Sequence, residues 1–378
     1  FLSPKQMRET MHGDEVLVRL KGEGWKGKTE AAIVKVLSSS IERIVGRYYE
    51  ENNIAHVVAD DSRITQDILI PPNQALKPSE GQIVVVDIVR RPARRAPPLG
   101  EVIEILGDHM DPGMEIDVAI RGYDIPHIWP DQVLAMANQL KPQVSAEDKK
   151  GRIDLRELPL VTIDGSDARD FDDAVHCVKE ESGQWRLWVA IADVSHYVQP
   201  NNALDQEAFK RGNSVYFPGH VVPMLPEILS NGLCSLNPDV DRLCMVCEMT
   251  ISNNGKLNGY KFYPALMRSH GRLTYSQVWS VLEGDVEVRN QLSPLVTHLE
   301  ELHALFKKLN KSRQNRGAID FDTVETRIEF TEGRKIARIV PVLRNDAHRL
   351  IEECMILANV SAARYFMKKK AVGMYRIH

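Results

Sequence analysis

Residues 164–173 read DGSDARDFDD, five aspartates in ten positions, inserted between the apolar runs LPLVTI and AVHCV. Asp164 closes the first run, and Asp172 and Asp173 open the second. The turn between them is short enough to fold Asp164, Asp170, Asp172 and Asp173 toward one point. Two carboxylates about 4 Å apart repel by about 4 kcal/mol at an effective dielectric of about 20, and four multiply that cost. Solvent could offset it if the loop is exposed, Arg169 could offset part of it, and divalent cations could offset it through an oxygen-only ligand set of the kind that suits Mg2+. An EF-hand loop needs a glycine and a terminal glutamate at fixed positions, and neither falls correctly here. Spacing alone leaves two readings open. One is a carboxylate cluster holding one or two Mg2+ for phosphodiester chemistry; the other is an exposed acidic loop or helix-capping set.

Two further motifs carry less. Cys244 and Cys247 form a CxxC in RLCMVCEMT, but the flanks are apolar and strand-like, no second CxxC completes a zinc site and no helix start follows to activate a thiol. All five cysteines, with Cys177, Cys234 and Cys354, read as buried structural thiols. GEGWKG at 22–27 spells GxGxxG, yet the EAAIVKVL that follows has the character of a strand, whereas a dinucleotide site requires strand, loop and helix.

The elements that position these residues begin with an internal repeat. FLSPKQMRETMHGDEVLVRL (1–20) aligns without gaps on LIPPNQALKPSEGQIVVVDI (69–88), matching Pro4 to Pro72, Gln6 to Gln74 and Gly13 to Gly81; EAAIVKVL (30–37) then matches GEVIEIL (100–106). The second unit also has RIVGRYYEENNIAHVVADD (43–61), two β-rich runs around an ENN turn. Its five short strands predict a small OB-type β-barrel able to bind single strands on one face. The first unit lacks the opening strands, so the chain is expected to start inside a domain and to be a fragment. The predicted divisions are 1–37, the end of a first barrel; 38–107, a second barrel; 108–151, a connector with one short helix at DQVLAMANQL; and 152–378, a mixed α+β domain. That last domain should carry a long helix near 290–313, with Leu292, Leu295, Leu299, Leu302, Phe306 and Leu309 facing the core, and another from about Ala347 to Phe366.

A chain of 378 residues suits two or three domains, and 43% apolar with 26% charged residues is a balance that can bury a core. No apolar run approaches membrane-span length and no signal peptide opens the sequence, so no membrane partner and a cytoplasmic location are expected. The net charge of −4 does not exclude a nucleic-acid partner, because basic residues cluster in RRPARR (90–95) and MKKK (367–370), while acids cluster at 164–173. Either basic run could equally be a solvated face.

LPLVTIDGSDARDFDDAV, WVAIADVSHYV, LDQEAFKRGNSVYFP, MLPEILSNGLCSLNP, RLTYSQVW and NDAHRLIEECMILAN, in this order after the tandem cold-shock-like repeat, resemble the ribonuclease II family, the RNB exoribonucleases. The resemblance covers essentially the whole chain. It implies tandem OB-type (cold-shock-like) β-barrels, the first truncated, followed by an incomplete α+β RNB catalytic domain. It further implies processive 3′-to-5′ hydrolysis of RNA to nucleoside 5′-monophosphates with Mg2+ as cofactor. The partner would be the 3′ end of single-stranded RNA, with structured RNA a further candidate. By motif match the four family aspartates fall on Asp164, Asp170, Asp172 and Asp173, all metal-directed, with Asp172 indispensable for the chemistry; Asp167 is surplus, expected exposed or paired with Arg169. Tyr216 in SVYFP matches the tyrosine that stacks on the terminal base, Phe321 in GAIDFDT the opposing aromatic, and Glu352 an acid near the bound 3′ end. Without the family pattern, Tyr216 reads as a core aromatic and Glu352 as a helix-surface or paired glutamate. An arginine motif and a C-terminal OB-type domain of the family have no counterpart here, so the fragment is expected to bind poorly or cleave little by itself. The alternative is a non-catalytic RNA-binding protein with OB domains on a nuclease-like domain.

Overall fold

The computed structural model describes residues 2–23, 27–93, 95–109, 111–319, 325–332 and 335–375. They divide into two compact units, Phe1–His127 with Ile328–Arg338, and Ile128–Arg327 with Ile339–His378. The first unit opens with a short helix α1 (Pro4–Met7) and the antiparallel pair β1 (Glu15–Glu23) and β2 (Thr29–Ser38). Five strands follow: β3 (Arg43–Glu51), β4 (Ile54–Ala59), β5 (Ile68–Ile70), β6 (Gln82–Arg90) and β7 (Leu99–Asp108). They close a barrel in the order β3-β4-β5-β7-β6, with β3 pairing back onto β6 and only β5 and β7 running parallel. The ENN turn is a two-residue hairpin loop: Asn52 and Asn53 take φ of 52° and 63°, the left-handed pair that matches strand twist and that asparagine tolerates. In β6, Val84 and Val86 face the barrel interior with Ile44, Val57, Ile68 and Val102. Ile83 and Val85 face the other way, onto Met114 of helix α2 (Met114–Gly122). An uninterrupted apolar run is thus buried on both faces.

The internal repeat is physical. The Gln6 side-chain oxygen accepts the Ile33 N–H of β2 at 3.1 Å, and its counterpart Gln74 accepts the Val102 N–H of β7 at 3.2 Å. Gly13 and Gly81 stand at φ of 80° and 86°, a conformation in which glycine avoids the Cβ clash at both equivalent turns. Because EAAIVKVL forms β2, the GxGxxG string precedes a strand, and no phosphate-facing helix follows it.

The second unit is built on a seven-stranded sheet ordered β16-β9-β10-β11-β14-β15-β8. In chain order come helix α3 (Asp131–Ala137), β8 (Ile153–Asp154), β9 (Val161–Asp164), β10 (Asp173–Lys179) and β11 (Trp185–Ala192). Next are α4 (Val194–Tyr197), α5 (Ala203–Arg211), the hairpin β12 (Val215–Phe217) and β13 (His220–Val222), and a π-helical turn at Ile228–Leu233. Strands β14 (Asp241–Ile251), β15 (Leu257–Arg268) and β16 (Gly271–Thr274) follow, then α6 (Tyr275–Glu283), α7 (Val286–Gln291) and α8 (Val296–Asn315). The hairpin β17 (Glu325–Phe330) and β18 (Ile336–Val342), whose residues Ile328–Arg338 belong to the first unit, and the helix α9 (Asp346–Lys369) complete the chain order. Both sheet faces are covered. Val175, Leu187, Val189 and Met249 pack against Leu299, Leu302 and Phe306 of α8 and Leu350 and Cys354 of α9. Ala174, Ala190, Val246 and Met267 pack on the other face against Leu204 of α5 and Leu229 and Leu233 of the π-turn.

Strand alternation splits the CxxC, since Cys247 belongs to the first face and Cys244 to the second; all five thiols are buried and free. The long helix expected near 290–313 is α8, which starts later than expected. Pro294 disfavours a helical conformation at Ser293 and supplies no N–H, so the preceding α7 ends at Gln291 and α8 starts at Val296. Leu292 and Leu295 still pack into the core from the break. The segment expected to hold one short helix holds two, α2 and α3.

Candidate active site

The aspartate segment is fixed by backbone bonds and by one buried ring. Val175 of β10 pairs with Val161 of β9, Asp173 lies opposite Ile191 of β11, and the Ala192 N–H donates to the Asp172 carbonyl at 2.9 Å. Phe171, 2% exposed, inserts into the core on the π-turn side. Its N–H donates to Ser235 Oγ at 3.1 Å, and its carbonyl accepts the Leu236 N–H at 2.8 Å. Side chains alternate along an extended chain, so burying Phe171 turns Asp170 and Asp172 the other way, onto the wall of a cavity of about 820 Å3. Asp164, at the last position of β9, Asp173, at the first of β10, and the exposed Asp167 line the same cavity.

The four family-matched carboxylates perturb one another. Asp164 is raised from its ordinary pKa by burial and then by Asp170 and Asp167, although the Gly165 N–H that it accepts at 2.7 Å works against this. Asp172 is pushed up to about 6, by burial first and then by Asp170 and Asp164. Its side chain is exposed and opens onto the cavity. Asp173 is pushed up to about 7, by burial first and then by Asp164 and Asp172, and its Oδ2 is fully buried without a hydrogen-bond partner. Asp167 is therefore not inert toward the cluster, since its charge opposes ionisation of Asp164.

A buried carboxylate oxygen without a donor, beside three more carboxylates, fits a hard divalent cation such as Mg2+. Among the described residues, no three His, Cys, Asp or Glu side chains already stand in the mutual geometry of a metal site. Binding would have to draw the carboxylates together.

Tyr216 lies on β12, which pairs with β13 through Tyr216↔Val221. Its ring is 62% exposed and lines the cavity, and its hydroxyl donates to Asp170 Oδ2 at 2.5 Å. It is a rim residue and not the core aromatic that its neighbours Phe217 and Pro218 would suggest. Burial, then the bond to Asp170, pushes its phenol up to about 12, so the hydroxyl stays protonated and can only donate to that carboxylate. Phe321 lies outside the described residues. Glu352, on α9, is absent from the cavity lining; it is ion-paired with Arg344 and lies 3.7 Å from Arg313. Arg169, read from the sequence as a partial counter-charge, lines the cavity, and so do residues not anticipated as site members, among them His220, Asn231 and Arg272. Arg272 reaches it because β16 pairs in parallel with β9, a long-range pairing for which the sequence carries no local signal.

The RNB domain family matches residues 152–378. The chain belongs to the RNB family. A cold shock domain matches residues 56–130 and the ribonuclease B OB domain residues 1–36, so OB-type domains precede the RNB domain as the resemblance implied. The chain is 57% identical over its full length to ribonuclease R of Escherichia coli (strain K12), of which it covers 46%. It is 52% identical over 323 residues to ribonuclease R of Acidithiobacillus ferrooxidans, a match covering 85% of this chain and 73% of that one. The structure of Mycoplasma genitalium RNase R in complex with ribose methylated single-stranded RNA matches with a TM-score of 0.91 at 29% identity, covering 100% of this chain and 59% of the other. This RNB chain thus spans about half the length of the E. coli relative. Among the described residues, no helix is long and apolar enough to cross a membrane.

Proposed function

We propose that this chain carries the carboxylate half of a processive 3′-to-5′ exoribonuclease site that releases nucleoside 5′-monophosphates with Mg2+. The observation that carries the reading is the convergence of Asp164, Asp170, Asp172 and Asp173 on one cavity whose rim bears Tyr216, bonded to Asp170. In such a site the four carboxylates would hold the cation, which when bound supplies a nucleophilic water at neutral pH and polarises a phosphoryl oxygen. The Tyr216 ring would stack on the terminal base. Stacking is worth about 1–3 kcal/mol per base and tolerates any base, which suits an enzyme that must accept every nucleotide. Its hydroxyl, tied to Asp170, would fix the base platform relative to the reacting phosphate. Single-stranded RNA with a free 3′ end is the substrate class this arrangement serves, and the RNA-bound Mycoplasma genitalium relative supports that choice. Where the enzyme works in the cell belongs to the same reading: an RNA-degrading enzyme of the cytoplasm.

The competing reading, an RNA-binding protein without activity, would be favoured by loss of one of the four aspartates, and all four are in place. Degradation of a 3′-tailed RNA by the full-length protein decides between them. Wild type should release mononucleotides only with Mg2+, and Asp172→Asn should reduce the rate by at least about a hundredfold, the scale on which losing a positioned catalytic group acts. Mononucleotide release that survives Asp172→Asn would overturn the assignment.

A further inference from the structure

In a cavity lined by five aspartates, the arginine Arg272 forms no ion pair with any of them. Arg272 lies on β16 opposite Thr162 of β9, while Thr274, two residues on, lies opposite Asp164. Its backbone is therefore set back about 7 Å along the strand from the position level with Asp164. Its guanidinium lies over the ring of the buried Phe171, 4.3 Å from the centroid, and one Nη donates to the Ala168 carbonyl at 2.8 Å. Among the described residues it makes no ion pair. The stack and the single carbonyl bond fix the plane of the fork and use one of its five N–H donors. The side chain is exposed and lines the cavity. A fixed, unpaired guanidinium facing an aqueous cavity is a pre-organised site for an oxyanion, and it needs no carboxylate to be displaced before it binds.

We propose that Arg272 is a binding residue for the phosphate backbone of the RNA strand. It contacts a non-bridging oxygen of a phosphate other than the one undergoing cleavage. The lack of an ion pair carries the second half of the statement: a cation placed at the reacting phosphate would lie within ion-pair reach of the carboxylates gathered there, and among the described residues Arg272 pairs with none. The proposal rests on the exoribonuclease reading for its ligand, a single RNA strand, and on the stack and the unpaired guanidinium for its geometry.

The test uses the full-length protein and a labelled single-stranded oligoribonucleotide of mixed sequence. Equilibrium binding is measured without turnover in an Asp172→Asn background, across a salt series. Arg272→Gln should weaken affinity about tenfold and reduce the slope of log K against log salt by about 0.7, the contribution of one phosphate on a single strand. Arg272→Lys, which keeps the charge and loses the fork, should restore the slope and only part of the affinity. In the otherwise wild-type enzyme, Arg272→Gln should raise KM with kcat within about twofold. A kcat loss without a KM change would overturn the proposal by placing Arg272 at the reacting phosphate. Unchanged affinity and slope would also overturn it; a lowered Tm alongside them would assign the residue to holding the Ala168 loop. Failure of the underlying reading shows separately, as an Arg272-intact protein that binds the RNA yet does not shorten it from its 3′ end.

Discussion

At the scale of single residues, the site depends on side chains kept in states they would not adopt in water. Tyr216 is the clearest case, since one ring has two tasks that substitution can separate. Tyr216→Ala removes the stacking surface and the hydroxyl, whereas Tyr216→Phe removes only the bond to Asp170. If the ring positions the terminal nucleotide, Tyr216→Ala should change the length of the shortest product on a denaturing gel while RNA affinity falls by less than about tenfold, one stack among many contacts. Tyr216→Phe should keep the wild-type end product. Identical end products for Tyr216→Ala with normal affinity would remove the tyrosine from the site. His176 gives a prediction for stability. It is 2% exposed, lies 5.6 Å from Trp188 and 5.0 Å from His298 by ring centroids, and is pushed from its ordinary 6.5 down to about 4 by burial, then by His298 and His270. Above pH 6.5 it is neutral folded or unfolded and costs nothing. As pH falls from about 6.5 to about 4, the unfolded chain takes up a proton that the folded one refuses, and stability drops by up to about 3 kcal/mol. His176→Phe, which keeps a ring against Trp188, should flatten the Tm profile over that window, and a profile as steep as wild type would show that other groups carry the acid loss.

At the scale of elements, what could be read from the sequence and what could not divide along local and non-local lines. The repeat was legible because identical side chains perform identical local tasks, and Gln6 and Gln74 each cap the N–H of an equivalent strand. Gln74→Ala should cost about 1 kcal/mol, the net worth of one such bond. It should also accelerate hydrogen exchange at the Val102 amide, and unchanged protection there would show that the bond does not hold β7. The aspartate cluster was legible in part, because its charge density within an apolar context is a local anomaly. The inward turn of Phe171 that aims Asp170 and Asp172 was not, since it depends on Ser235 and Leu236, more than sixty residues away. Arg272 was hidden for the same reason: its place in the site comes from a parallel pairing of β16 with β9. The long helix α8 was legible from its leucine spacing, but its start was misplaced because Pro294 lies inside that regular spacing. For Glu352 the motif match supplies a place near the bound 3′ end, and the structure adds what the sequence could not show, a half-buried carboxylate ion-paired with Arg344 and 3.7 Å from Arg313.

At the scale of the whole molecule, a net charge of −4 must be reconciled with the polyanionic substrate proposed above. Five of the acids gather where the proposed cation would neutralise them, and under that reading attraction of RNA falls to basic residues placed elsewhere. The RRPARR run, read from the sequence as either a basic track or a solvated face, is not uniform. Arg91 is structural: it pairs with Asp14 at 2.8 Å and donates to the Ile41 carbonyl, tying the first repeat to the barrel. Arg90 and Arg95 are exposed and, among the described residues, make no ion pair. If that loop contributes to the RNA track, each should account for one phosphate. Arg90→Gln with Arg95→Gln should then lower the slope of log K against log salt by about 1.4 for a single-stranded oligonucleotide, because each neutralised phosphate contributes about 0.7. Arg91→Gln should lower Tm through loss of the tie to Asp14, whose carboxylate is 2% exposed and would be left buried and unpaired. The two substitution sets should therefore act on different observables, one on salt dependence and the other on thermal stability. A double Arg90, Arg95 variant with the wild-type slope would return the loop to the status of a solvated face and place the strand's phosphates on other parts of the molecule.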